Sequence, residues 1–131
     1  MFEKVKEVVE DYKGKDHVRG LRDCNLMVLK IFDEENYEKM RGRYSTITGG
    51  IRASKRAYGV VSMYEYLVKN NDFKEVPKDF IQPFDVIAFP ESHNIYLCLG
   101  QLWFGVNDFD EFGVISPSDY ADGNYMIFRK E

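Results

Sequence analysis

Residues 20–32 read GLRDCNLMVLKIF, and the fold turns on how they are read. From Cys24 onward the stretch is apolar nearly all round. That pattern predicts a helix running through the centre of a domain rather than along its surface. Asp23 stands where an N-cap belongs, its carboxylate able to accept backbone N–H groups that the first turn leaves open. Cys24 then falls in that first turn, where the positive end of the helix dipole favours an anion. Such a placement lowers a thiol's pKa and prepares it for nucleophilic attack, with Arg19 and Arg22 close enough in sequence to add to the effect. The plainer alternative is a small thiol packed in a buried helix, and chemistry and spacing alone favour it.

Upstream, Phe2, Val5, Val8, Val9 and Tyr12 recur at helical spacing, and Gly14 is a natural stop, so residues 1–13 read as an N-terminal helix. Residues 14–23 read as a polar loop. Downstream, DEENYEKMRGRY suggests a short helix ending near Gly42. STITGGIRASKRAYG reads as a helix entered from a Ser/Thr cap and stopped at Gly59, and VVSMYEYLVKNN as an amphipathic helix ended by its Asn pair. The chain then changes character. FDVIAF, NIYLCLG, LWFGV, GVIS and YMIFRK are short, β-branched and aromatic, and are separated by Pro, Gly, Asn and Asp. Helices over 24–70 followed by a meander of strands over 83–131 predict a single α+β domain, its N-terminal helices packed on a C-terminal antiparallel sheet.

At 131 residues the chain is one domain by size, and its 44% apolar and 15% aromatic content is enough for a packed core. A net charge of −4, with acids and bases mixed throughout, argues against a duplex nucleic-acid partner, which calls for a basic face. No stretch approaches the ~18 apolar residues of a membrane span, and the N-terminus lacks the apolar core and cleavage site of a secretory signal. The expectation is synthesis in a cytoplasm with Cys24 and Cys98 reduced, and release only by lysis or inside a particle. Cys98, between Leu97 and Leu99, reads as a packing residue.

A nucleophilic thiol needs a base, usually an imidazole. The chain has two histidines. His17 lies so close before Cys24 in sequence that an approach from an opposing sheet is not expected. His93, at the head of NIYLCLG, is the better candidate base. Nucleophile on an early buried helix and base on a later strand is the order of papain-like cysteine hydrolases. Arg41, Arg43 and Arg52 have forked donors suited to carboxylate or phosphate, but Glu34, Glu35 and Glu38 offer plainer partners. Tyr44 is expected to pack with its hydroxyl satisfied. Asp108, Asp110 and Glu111 lack the ligand spacing of a calcium loop, so neither metal nor cofactor is called for. Core packing is the default for Trp103 and Phe104, although adjacent strand residues are not expected both to face inward.

DCNLMVLKIF followed by FDVIAFPESHNIYLCLG resembles the NlpC-type branch of papain-like cysteine peptidases. More narrowly, MRGRYSTITGGIRASKRAYG, with Arg41, Gly42, Arg43, Tyr44, Gly49, Gly50, Arg52 and Gly59, resembles a small family of phage proteins related to that branch; with GVISPSDY the resemblance covers roughly residues 15–131. It implies a papain-like, NlpC-like fold, a phage origin among tail genes and peptidoglycan peptide cleavage as the ancestral chemistry. Carried onto this chain, it implies Cys24 as nucleophile, His93 as base and Asn107 as the residue orienting the base. Departures fall at the site itself. Asn25 and Leu26 replace the Ser-Gly pair common in active members, and Phe84 stands where a glycine precedes Asp85. With Gly100 aligned, the histidine position falls on Asn94, one residue from His93, and a one-residue shift turns a strand side chain to the other face unless a bulge at 92–94 restores it. Trp103, Phe104 and Gly105 occupy the orienting region, leaving Asn107 as the nearest polar substitute.

These departures favour a virion protein, in tail or connector, that keeps the fold and has lost the catalysis, with other virion proteins as its partners. The first alternative is an active cysteine hydrolase that cleaves peptidoglycan peptides during phage entry. The second is a cytoplasmic phage protein acting on a host factor.

Overall fold

The structure, a computed structural model, describes residues 2–120 and 123–131. Helices come first: α1 (Phe2–Tyr12), α2 (Cys24–Phe32), α3 (Glu34–Met40), α4 (Ile47–Tyr58) and α5 (Met63–Lys69). Strands follow: β1 (Phe73–Val76), β2 (Val86–Ala88), β3 (Ile95–Cys98), β4 (Trp103–Val106), β5 (Phe112–Ile115) and β6 (Met126–Lys130).

Helix α2 lies at the centre, as its composition demands. Leu26, Met27, Val28, Leu29 and Ile31 are all buried. Nine residues are too few to hold a helix in water. Burial at about 1.5–3 kcal/mol for each large apolar side chain supplies what intrinsic propensity does not. Helix α1 lays Val5, Val8 and Tyr12 against it. Asp33 closes α2 and opens α3, accepting from the Asn36 backbone N–H at 3.2 Å and from Tyr66 Oη at 2.6 Å. Thr46 caps α4 through the Gly49 N–H, and Gly59 ends it in the left-handed conformation (φ 78°).

The strands form one antiparallel sheet in the order β1-β6-β2-β3-β4-β5. Alternation sorts its side chains to two faces. Val86, Ala88, Ile95, Leu97, Phe104 and Phe128 pack with the helices. On the opposite face Ile87, Tyr96, Cys98, Trp103 and Ile127 form a second cluster, lined by Phe89, Ile115, Tyr120 and Tyr125. Both faces are therefore dry. Trp103 and Phe104 are both buried, one on each face, as the alternation of a strand requires of neighbours.

Strand β1 is a second departure. Its sequence, FKEV, puts two charges between its buried ends, and no strand is expected there. As an edge strand it needs only Phe73 and Val76 inside, and it pairs along β6 from Phe73↔Lys130 to Val76↔Ile127.

The segment between α1 and α2 is also more ordered than a polar loop. Gly14 N donates to Phe112 O at 2.8 Å, Phe112 N to Lys15 O at 2.9 Å, and His17 N to Asp110 O at 2.8 Å. Residues 14–17 thus pair with residues 110–112, the lead into β5. No helix among the described residues is long and apolar enough to cross a membrane.

Candidate functional site

Asp23 is the N-cap of α2, and Cys24 is its first helical residue. The Asp23 carboxylate is buried and fully engaged. It accepts from Leu26 N at 2.8 Å, from Gly20 N at 2.9 Å and from Tyr44 Oη at 2.5 Å. This gives the RGRYSTITGG stretch a physical role. Tyr44 reaches under the start of α2, and glycine at position 50 leaves room for its ring, since a Cβ there would lie 3.2 Å from Tyr44 Cδ2. Gly20 is fixed more strictly. Its φ is +88°, and a Cβ would fall 1.7 Å from the Tyr44 carbonyl oxygen. Gly42 N closes the junction by donating to Gly20 O at 2.7 Å.

Across from this mount lies the hairpin joining β2 and β3, where His93 is exposed and precedes the strand. The structure does bring Cys24 and His93 together, but through the histidine backbone: Cys24 Sγ donates to His93 O at 3.2 Å. A carbonyl accepts the thiol proton without removing it.

The environment of the sulfur follows. Burial pushes the Cys24 thiol up to about 12, and the adjacent Asp23 carboxylate adds to the rise. Hydrogen bonds from the backbone of Ile95 and Cys24, and the charge of Arg19, oppose it in smaller measure. The expected lowering is therefore reversed. At a helix start capped by its own carboxylate, the dipole is already answered by that anion, and the protein packed around the sulfur leaves a thiolate poorly solvated. Arg22, whose Nε donates to Asp16 O at 2.9 Å, is not among the groups that act most on the thiol.

Asn107 sits apart from this arrangement. Its Oδ1 accepts from Phe109 N at 2.9 Å and Glu111 N at 3.1 Å, holding the β4–β5 turn. It does not line the cleft at Cys24. With its oxygen spent on its own turn, Asn107 has no acceptor with which to orient His93.

The cleft has a volume of about 360 Å³. Cys24, Asn25, His93 and Asn94 form its floor, and Tyr44, Ile47, Ile51, Val61 and Met63 form an apolar wall. His17 and Asp110 also line it, and they are bonded to each other, Nδ1 to Oδ1 at 2.9 Å. His17 was not expected to reach the site from the sheet, yet its pairing with Asp110, in the lead into β5, carries it there. No sequence signal marks this pairing, because it rests on a short bridge between segments about ninety residues apart. Arg41 pairs with Glu38 at 3.6 Å, while Arg43 and Arg52 are exposed.

Before β2, Phe84 adopts φ +78°, the left-handed region that glycine favours. That is the physical reason a glycine suits this place before Asp85. Asp85 itself is buried and held by Arg129, Nε to Oδ1 at 2.9 Å and a second nitrogen to Oδ2 at 2.9 Å, a structural ion pair.

No curated protein matches the chain. Residues 2–122 match the family described as "Domain of unknown function (DUF6950)". With that match running from α1 through the strands that frame the cleft, the chain belongs to this family.

Proposed function

We propose that the chain is a bacteriophage virion protein, in tail or connector, built on an NlpC-like, papain-like fold in which Cys24 no longer acts as a nucleophile. The observation that carries the reading is the state of the thiol. Cys24 Sγ donates to the His93 carbonyl and its pKa is pushed up to about 12, so it stays protonated at neutral pH. A Cys-dependent hydrolase needs the opposite, a thiolate paired with an imidazolium. The sequence resemblance supports the papain-like and phage parts of the reading, together with a cysteine at the head of a buried helix and an antiparallel sheet after it. The test is Cys24→Ala in the phage genome. Particle assembly and infectivity are expected to be unchanged, and loss of infectivity together with loss of peptidoglycan cleavage by the folded protein would overturn the reading.

One observation favours a second reading, an active hydrolase of peptidoglycan peptides. His17, oriented through Nδ1 by Asp110, lines the same cleft as Cys24. A carboxylate-oriented imidazole is the arrangement of a general base. Under this reading His17→Ala abolishes peptidoglycan cleavage and His93→Ala leaves it intact.

A further inference from the structure

We infer that the cleft is a binding site for a small carboxylate carried on a branched aliphatic body, with Arg19 taking the carboxylate. The inference rests on reading this cleft as the functional site, and it holds whether or not the thiol reacts.

One unpartnered cation in the cleft points to an anion. Four charged or chargeable side chains line it besides Cys24 and His93: His17, Arg19, Asp23 and Asp110. Asp23 is spent on three neutral donors, and Asp110 is paired with His17. Arg19 remains. Of the chain's seven arginines, Arg22, Arg41 and Arg129 have partners, and Arg43, Arg52 and Arg56 are exposed. Arg19 is half-buried and, among the described residues, makes no hydrogen bond or ion pair. It lines the same cleft as Cys24. A half-buried arginine with its fork unused is suited to a planar anion, and a carboxylate satisfies two of its donors at once.

The rest of the cleft limits what carries the carboxylate. Ile47 and Val61 line it and remain 46% and 43% exposed, a large loss for aliphatic side chains unless something covers them. Ile51 and Met63 continue the same wall. At about 360 Å³ the space lies near the low end of the range, about 300–1,000 Å³, that holds small ligands. A short branched chain fills such a wall, and a polyanion does not suit one free arginine.

The experiment uses N-acetyl-L-leucine as probe and N-acetyl-L-leucinamide, its uncharged counterpart, as control, with calorimetric titration of the full chain at neutral pH. The acid is expected to bind at least about tenfold more tightly than the amide, the usual contribution of a charge-assisted pair. Arg19→Gln removes that difference, and Arg19→Lys keeps part of it. Val61→Asp, at an exposed position that leaves the fold intact, weakens both ligands. Binding is read here without any reaction of the thiol, so this result and the thiol measurement stand or fall separately. Equal binding of acid and amide, no binding of either, or an Arg19→Gln protein that still prefers the acid overturns the inference.

Discussion

The two sides that meet at Cys24 are built differently. On the helix side Asp23 answers three donors, Tyr44 is held under the helix start, and Gly20 fits where no other residue can. On the sheet side a hairpin presents a backbone carbonyl to the sulfur and leaves its imidazole exposed. The mount for a helix-start cysteine is complete, while the hairpin opposite it offers the sulfur a carbonyl and not an imidazole. The comparison separates what a fold needs from what a nucleophile needs. Asp23 is required to start α2, and in meeting that need it works against the thiolate beside it.

The first way to break the comparison is to damage the mount. Gly20→Ala drives a Cβ into the Tyr44 carbonyl at a left-handed backbone position. A loss of at least about 3 kcal/mol is expected in chemical denaturation, because backbone cannot swing aside as a side chain can. Asp23→Ala removes the cap and leaves Tyr44 Oη, Leu26 N and Gly20 N without their acceptor, for an expected loss of about 2–3 kcal/mol.

Alkaline titration sharpens the comparison. In the unfolded chain the Cys24 thiol ionises near ~8.5, and in the folded chain only near about 12. The unfolded state therefore binds fewer protons between those values, and stability falls as pH rises through that window. Below the lower value the contribution is fully present. Tyr12, Tyr44, Tyr58, Tyr66 and Tyr96 are also raised by burial and push in the same direction. The thiol's share is the difference between wild type and Cys24→Ser, whose stability should fall less steeply over the same window.

Two smaller effects follow. At Phe84 the usual order of substitutions should invert: Phe84→Gly is expected to be about 1 kcal/mol more stable than Phe84→Ala, since both lose the ring and only glycine relieves the left-handed backbone. His93→Ala should change stability by less than about 0.5 kcal/mol, as expected of an exposed side chain that contributes only its backbone to the site. A large effect there would mean that the imidazole supports the hairpin.

The sequence made the helix side of the site legible and the sheet side obscure, for physical reasons. An all-round apolar run such as NLMVLKIF can be stable only inside a domain, and a carboxylate before it can hardly be anything but a cap. Both are local facts. Strand β1 was hidden because an edge strand needs only two apolar residues, and FKEV supplies them with charges between. Trp103 and Phe104 follow the alternation expected of strand neighbours, but the apolar cluster that buries Trp103 on the second face is assembled from distant segments and is not legible in LWFGV. His17 and Asp110 meet through a bridge between distant segments, which periodicity does not record. The state of the thiol was the least legible of all. It depends on a hairpin carbonyl and on the loss of water around the sulfur, neither of which a residue's spacing reveals.

The Cys24 thiol pKa can be read from the pH dependence of iodoacetamide alkylation. Cys98→Ser isolates the signal, and serine can keep the 3.4 Å contacts that Cys98 Sγ makes with Gly100. The expected result is negligible alkylation at neutral pH, with a midpoint near about 12 that His93→Ala does not move. A midpoint well below ~8.5, rising again in His93→Ala, would show a working thiolate–imidazolium pair and contradict the claim that the cysteine is only mounted.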